Sequence, residues 1–221
     1  RKTDAAGLRD FCAGTEAIFC KPAGLCGGEG IQRLVTADIQ DYDKLYQQLV
    51  QGGQLLIEEP IRQHPEMCRL CPDSVNTVRI VTLVTEQGAQ MVYALVRMGM
   101  GGVCVDNVSS GGMYAPVNEQ GQLYRPAFCD KTGKYYERHP VTGTEITGFR
   151  IPLFDQALEL CRTASRRVEA HLKYIGWDVA ITPDGPVLVE GNNLPGYDMC
   201  QNAGHVDEGM RCVRGQRILR R

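Results

Sequence analysis

The stretch GWDVAITPDGPVLVEGNN, residues 176–193, decides the fold class of this chain. Two apolar runs flank Pro183-Asp184-Gly185, a turn sequence, so the stretch predicts a β-hairpin. Residues i and i+2 of a strand point to the same face, so Glu190 and Asn192 project together and the hairpin can bring Asp178 alongside. Three oxygen ligands on adjacent strands suit a hard cation such as Mg²⁺. The alternative is an ordinary hairpin with a polar outer face.

Strands and helices on either side of this hairpin predict an α+β fold without internal repeats. Apolar patterning predicts strands at 17–20, 31–35, 55–57, 75–85, 91–98 and 103–105, and helices at 38–50 and 152–174. Asp38 is the predicted N-cap of the first of these helices. We divide the chain into a small lobe at residues 1–60, a large lobe at 61–200 and a C-terminal tail at 201–221.

A second candidate feature is Lys21, which ends a short apolar strand and is followed by the glycine-rich stretch GLCGGEG at residues 24–30. A lysine can pair with phosphates as a point charge, and glycines let backbone N–H groups approach a polyphosphate. The stretch matches neither the P-loop pattern nor a dinucleotide fingerprint. The alternative is a flexible hairpin loop.

A third feature is LLIEEPI at residues 55–61, an apolar strand that runs into a short linker. Such a linker can offer backbone groups to the edge of an adenine ring. Pro60 has no N–H and cannot donate a hydrogen bond there. The alternative is an exposed acidic turn.

Composition excludes several other classes of function. The chain has 221 residues, 43% of them hydrophobic, and a formal net charge of -2. No basic excess indicates nucleic acid or an anionic membrane surface, and no apolar run of about 18 residues predicts a membrane span. The basic stretch at 211–221 is interpreted as a solvated tail. The N-terminus has neither an initiator Met nor an apolar signal-peptide core, so we expect a cytoplasmic piece of a longer protein.

The ten cysteines predict reduced thiols rather than a disulfide framework, because a chain of this size folds without covalent staples. Cys68 and Cys71 form the one C-x-x-C pair. A zinc ribbon needs a second pair, and a thioredoxin-like redox pair needs a different context, so we interpret both thiols as incidental. His64 and His139 each precede a proline and are predicted to be solvated loop histidines. Trp177 is predicted to lie in the core.

The three features, in this order, resemble the ATP-grasp superfamily over residues 11–198. The composite of DSVNTVRIVTL, VRMGMGG, DNVSSGG and GWDVAITPDGPVLVEGNNLPG is similar to the sugar-transfer associated ATP-grasp family, which is related to glutamate-ligase-like proteins. The resemblance implies two α+β lobes that clasp ATP. It also implies that an N-terminal domain usual in the superfamily is absent here.

The resemblance further implies a set of binding residues for ATP and Mg²⁺. Lys21 would hold the α and β phosphates while Gly27, Gly28 and Gly30 close over them; Glu58, Glu59 and Ile61 would form the adenine hinge; Asp178, Glu190 and Asn192 would hold Mg²⁺; Arg79 and Asn107 would contact the transferred phosphate. The alternative for Arg79 is a structural ion pair inside the large lobe. Arg97 is an equal candidate for its phosphate role.

The activity that the resemblance implies is ligation. ATP would phosphorylate a small-molecule, sugar-like or peptide-like carboxylate, and an amine or similar nucleophile would attack the acyl phosphate, with polysaccharide biosynthesis as the associated pathway class. The alternatives are a kinase with a hydroxyl acceptor and a non-catalytic nucleotide-binding module. The sequence identifies neither the acceptor nor an oligomeric state.

Overall fold

The computed structural model of the protein describes residues 3–24, 30–101 and 111–205. The chain divides into two compact units, Arg1–Ile61 and Arg62–Arg221. Each unit combines an antiparallel sheet with helices, so the predicted α+β class is confirmed. Among the described residues, no helix is long and apolar enough to cross a bilayer.

The N-terminal unit is a three-stranded sheet with two helices packed on one face. Its elements are α1 (Ala5–Cys12), β1 (Ala17–Lys21), β2 (Gln32–Val35), α2 (Tyr42–Gln51) and β3 (Leu56–Glu58), with strand order β2-β1-β3. Ile18 and Cys20 of β1 are fully buried in the core that both helices cover. Because side chains alternate along a strand, Phe19 and Lys21 point to the opposite face of the sheet.

The helices of this unit differ from the prediction in two ways. Asp38 lies in a 3₁₀ turn, Thr36–Asp38, and Asp41 caps α2 by accepting a hydrogen bond from the Lys44 N–H at 2.9 Å. The backbone makes one 3₁₀ turn before α2 starts, so the predicted N-cap, Asp38, lies three residues before the observed one. Helix α1 was not predicted, because Leu8 and Cys12 are the only residues of its short sequence that the core buries.

The C-terminal unit is built on one antiparallel sheet. Its described strands are β4 (Val78–Thr85), β5 (Gly88–Met98), β6 (Met113–Val117), β7 (Ala127–Cys129), β8 (Lys134–Tyr136), β9 (Tyr174–Thr182) and β10 (Gly185–Asn193). They run in the order β10-β9-β4-β5-β6-β7-β8. Short helices α3 (Pro65–Cys68) and α5 (Asp198–Cys200) and the longer α4 (Phe154–Ser165) complete the unit. The predicted strand at 103–105 lies outside the described residues.

Helix α4 ends nine residues before the predicted end at 174. Its last residue, Ser165, donates a hydrogen bond to the Cys161 carbonyl at 2.8 Å and accepts one from the Trp177 indole N–H at 3.1 Å. Trp177 also donates to Thr82 Oγ1 at 2.9 Å and is buried against α4, which confirms its predicted core position. This buried polar cluster fixes the end of the helix from distant strands, so local periodicity could not predict it.

The hairpin β9–β10 has the predicted turn and one irregularity. From Gly185 opposite Thr182, pairing proceeds residue by residue to Leu188 opposite Val179. A β-bulge then skips Val189, so that Glu190, not Val189, lies opposite Asp178. The bulge therefore brings the two carboxylates together across the hairpin.

His139 lies in a loop as predicted, but the prediction that it is solvated is wrong. The side chain is 1% exposed and lies in a turn after β8. Its Nδ1 accepts hydrogen bonds from the N–H groups of Val141 and Thr142, both at 3.3 Å, and its Nε2 lies 2.7 Å from the Gly99 carbonyl. Two donors on Nδ1 require that Nε2 carries the proton. The ring is a buried link between this turn and the end of β5.

Candidate functional site

Asp178 is the centre of a polar cluster on one face of the large sheet. It lies in the middle of β9, its side chain is fully buried, and its strand neighbours are Arg79 on β4 and Glu190 on β10. The opposite face of β9 carries Trp177 and Val179 in the hydrophobic core. The alternation of the strand thus separates a packed face from a charged one.

Two arginines hold the carboxylate of Asp178. Arg79 donates from Nε to Oδ1 and from Nη2 to Oδ2, the second bond at 2.9 Å. Arg97 on β5 donates from Nη2 to Oδ2 at 2.9 Å and is oriented by Thr77, whose Oγ1 accepts from its Nε at 3.0 Å. Side-chain exposure is 8% for Arg79 and 12% for Arg97, so both guanidinium groups are largely removed from water.

The electrostatics of the cluster follow from these contacts. Burial alone would raise the pKa of Asp178, but the hydrogen bond of Arg79 and the charges of Arg97 and Arg79 outweigh it and lower the pKa below its ordinary value. Burial opposes the charged form of Arg79, yet the bond to Asp178 raises its pKa. Asp178 and Arg79 therefore remain ionised together.

Glu190 and Asn192 complete the set of predicted metal ligands. The pKa of Glu190 is raised because its carboxyl shares a hydrogen bond with Asp178, and burial adds to this effect. The Asn192 amide nitrogen lies 3.2 Å from Glu190 Oε1 and 3.5 Å from Asp178 Oδ2. All three predicted ligands are thus in mutual contact on two adjacent strands.

This donor set fits a hard divalent cation. Two carboxyl groups that lie this close together form a place where a cation would relieve their repulsion. A 180° rotation of the Asn192 amide would put its oxygen where its nitrogen now lies and supply a third oxygen. In the described part of the chain, no group of three or more His, Cys, Asp and Glu side chains could hold a metal, so the amide is required to complete the set.

The structure places both Arg79 and Arg97, which the sequence could not separate, on the carboxylate of Asp178, but with different contacts. Arg79 donates hydrogen bonds to Asp178 from two nitrogens, as expected of a structural ion pair. Arg97 donates from one nitrogen to one oxygen of the same carboxylate. The role of Thr77 was missed. It lies two residues before Arg79, on the same face of the chain as it enters β4, and that spacing is the signal that could have indicated it.

In the N-terminal unit, Lys21 and Glu58 form an ion pair with each other. Their side chains are 28% and 49% exposed, on the face of the sheet that the helices do not cover. Leu56, the strand partner of Lys21, is also 49% exposed there. This face combines an accessible ammonium group with apolar surface.

The predicted hinge follows β3 directly. Glu59 is exposed and Ile61 is partly buried, and neither makes a backbone–backbone hydrogen bond within the described ranges. Gly30 has a left-handed backbone, φ 73°, and its carbonyl accepts from the Gln54 side chain at 2.9 Å. The predicted site residues Gly27, Gly28 and Asn107 lie outside the described residues.

Comparison with models of known families assigns the chain to one of them. The profile of the sugar-transfer associated ATP-grasp family matches residues 2–212. The chain belongs to this family. The match spans both compact units, and the predicted ATP-grasp membership and fold are confirmed.

Solved structures similar to this chain include two ligases. D-alanyl-alanine synthetase A from Vibrio cholerae O1 biovar eltor str. N16961 is 15% identical with a TM-score of 0.46, over 96% of this chain and 55% of that chain. The D-alanine-D-alanine ligase from Coxiella burnetii is 12% identical with a TM-score of 0.45, over 98% and 51%. The chain therefore spans about half the length of these proteins. No curated protein sequence matches it.

Proposed function

We propose that this chain binds Mg-ATP and uses it to activate a carboxylate as an acyl phosphate, which an amine or similar nucleophile then attacks. The observation that carries the proposal is the cluster of Asp178, Glu190 and Asn192 with Arg79 and Arg97, in a chain of the ATP-grasp family. A mixed set of oxygen ligands and guanidinium groups suits phosphoryl transfer, which depends on positioning and charge neutralisation.

The residues of the cluster would have separate roles in binding the metal and the phosphates. Asp178, Glu190 and Asn192 would hold Mg²⁺, which neutralises phosphate charge when bound. Arg97 and Arg79 keep Asp178 ionised and offer positive charge beside it, where a transferring phosphoryl group gathers negative charge. No side-chain nucleophile is needed, because ATP itself activates the acceptor.

Within the N-terminal unit itself, several residues would contact ATP. Lys21 would exchange Glu58 for the phosphates, since both partners of that ion pair are accessible to solvent. The main chain of Glu59 and Ile61 would bind the adenine edge, and Gly30, with Gly27 and Gly28, would approach the phosphates. The exposed apolar surface of Leu56 suits contact with a flat base.

Calorimetry with Mg²⁺ and a non-hydrolysable ATP analogue tests the metal site. Glu190→Gln is expected to abolish the Mg²⁺ dependence of binding, because it removes a carboxylate from the set while keeping the shape of the side chain. Asp184→Asn is the matched control, since Asp184 lies in the exposed turn of the same hairpin. Undiminished Mg²⁺-dependent binding by Glu190→Gln would contradict the assignment.

A trapping experiment distinguishes ligation from phosphorylation of a hydroxyl group. The protein is incubated with Mg-ATP, pools of carboxylic acids and hydroxylamine. An acyl phosphate yields a hydroxamate together with ADP and inorganic phosphate, whereas a phosphate ester is inert to hydroxylamine. ADP release with a stable phosphate ester and no hydroxamate would replace the ligase proposal with the kinase alternative.

A further inference from the structure

Outside the proposed ATP site, the connector after Ile61 brings two thiols together in one turn. Cys68 is the last residue of α3 and is partly exposed, whereas Cys71 is 1% exposed. The turn continues past the helix, with the Leu70 N–H bonded to the Met67 carbonyl at 3.1 Å. Residues i and i+3 of such a turn lie on the same side, within the reach of a disulfide.

A side-chain amide fixes the geometry of this turn. The Gln63 Nε2 group lies 3.6 Å from Cys68 Sγ, 3.2 Å from the Cys71 carbonyl and 3.1 Å from the Ser74 carbonyl. Its Oε1 accepts from the Asn76 side chain at 3.0 Å. One amide group therefore contacts both cysteine residues and anchors them to the start of the large sheet.

The sulfur of Cys71 lies in a polar pocket rather than an apolar one. A Cβ placed on Gly99 would lie 2.7 Å from Ser74 Oγ and 3.4 Å from Cys71 Sγ, so these two side chains converge on the same point. Ser74 is 5% exposed, and its Oγ has no hydrogen-bond partner among the described residues. The protonated Nε2 of His139 reaches the same backbone at Gly99. The Ser74 hydroxyl and the His139 ring therefore both lie near one buried sulfur.

The polar surroundings of Cys71 favour its thiolate form. Burial alone would raise the pKa of the Cys71 thiol, but hydrogen bonds from His139, from Ser74 and from the backbone of Asp73 outweigh it and lower the pKa to about 7. Cys161 provides the contrast within the same unit, because burial raises its pKa to about 12. A structural thiol resembles Cys161 and not Cys71.

We propose that Cys68 and Cys71 form a thiol–disulfide exchange site, with Cys68 as the entry thiol and Cys71 as the resolving thiolate. The Cys68 thiolate attacks a low-molecular-weight disulfide, RSSR, which breaks the S–S bond, forms a mixed disulfide and releases one RS⁻. The Cys71 thiolate then attacks Cys68 Sγ and displaces the second RS⁻. The two protein thiols are oxidised to one disulfide, and RSSR is reduced to two thiols.

Incubation with glutathione disulfide, acid quenching and mass spectrometry of the peptide that contains both cysteines test this proposal. The wild-type peptide is expected to lose two hydrogen atoms, with two glutathione molecules released per chain. Cys71→Ser is expected to stop at a stable mixed disulfide on Cys68. Cys68→Ser is expected to leave Cys71 unmodified, because its sulfur is buried, and Cys161 stays a free thiol throughout.

Three results would overturn the proposal. They are a mixed disulfide on Cys68 that persists in the wild type, no reaction of either thiol, and reaction of Cys71 at the wild-type rate in Cys68→Ser.

His139→Gln tests the activation of Cys71. Without His139 the pKa of Cys71 should rise, which lowers the fraction of thiolate at neutral pH and slows resolution, partly offset by the greater nucleophilicity of a more basic thiolate. An unchanged resolution rate in a folded variant would remove His139 from the site, and Ser74→Ala repeats the test if that variant does not fold.

Discussion

The two units of this protein each pair a predicted ATP ligand with an opposite charge, but in different surroundings. Lys21 and Glu58 lie on an open sheet face, with side chains 28% and 49% exposed. Asp178 is fully buried between Arg79 and Arg97. An exposed pair contributes about 0.2–1 kcal/mol, whereas removal of one partner of a buried pair costs about 3–5 kcal/mol, because the other charge stays buried.

This difference indicates two different uses of charge. The exposed pair can open at little cost and exchange its carboxylate for phosphate oxygens. The buried cluster is part of the fold, so Asp178 would be a ligand that is already oriented and ionised before any cation arrives. Four predictions test this contrast.

The largest expected effect is on stability. Asp178→Ala leaves Arg79 and Arg97 buried without their carboxylate, and we expect it to lower the free energy of unfolding of the C-terminal unit by about 3–5 kcal/mol. Urea unfolding followed by tryptophan fluorescence measures this, since Trp177 lies in that unit. Asp184→Asn, in the exposed turn, is the control and should change stability by less than about 0.5 kcal/mol. Equal stability of both variants would mean that the buried cluster is not structural.

The second prediction concerns pH. The pKa of Asp178 is lowered in the folded protein from its ordinary value of 3.8, so the unfolded chain takes up this proton first as the pH falls. The stability that Asp178 contributes is therefore complete above the unfolded pKa and is lost as the pH falls below about 3.8 through the folded pKa. Unfolding curves between pH 6 and about pH 2.5 should show a steeper acid loss in the wild type than in Asp178→Asn. Parallel curves would contradict the ion-pair assignment.

The third prediction concerns the exposed pair, where we expect a loss of binding with little change in stability. Lys21→Ala should weaken binding of the ATP analogue about tenfold, because it removes one charge-assisted phosphate contact of about 1.5 kcal/mol. Its stability should change by no more than about 1 kcal/mol. Lys44→Ala, an exposed position on α2, is the matched control for overall charge. Loss of stability without loss of binding would assign Lys21 to the fold instead.

The smallest expected effect is a gain in affinity for the ATP analogue. Glu58→Gln removes the carboxylate that competes with phosphate for Lys21 and keeps the main chain of the hinge, so the ATP analogue should bind about two- to fivefold more tightly. The same calorimetric titration measures it. Weaker binding by Glu58→Gln would show that the Glu58 carboxylate itself contacts the nucleotide.

The sequence predicted the residues of the charged cluster but not their arrangement. The spacing of Glu190 and Asn192 and the turn between the strands are local features, and the structure has both. A hairpin paired without irregularity would put Val189 opposite Asp178. The bulge that substitutes Glu190 lies between Leu188 and Glu190, and the alternation of apolar residues along this strand does not indicate it.

Contacts between distant segments account for the other differences. Arg79 and Arg97 were both plausible phosphate ligands, but their shared partner, Asp178, follows them by about 80 to 100 residues. His139 is the loop residue that Pro140 indicates, yet it is buried, because its ring satisfies backbone groups that only the folded turn creates. Local sequence patterns predict the secondary-structure elements, whereas long-range contacts determine which side chains interact.

The bulge in β10 has a consequence for self-association. Among the described strands, β10 is at the edge of the sheet, and its Val187 and Val189 are 44% and 39% exposed. A regular apolar edge of this kind can pair with the edge of another copy and start aggregation. The skipped residue interrupts the row of backbone donors and acceptors that such pairing needs. We therefore expect the irregularity that brings Glu190 to Asp178 also to oppose edge-to-edge pairing of this strand.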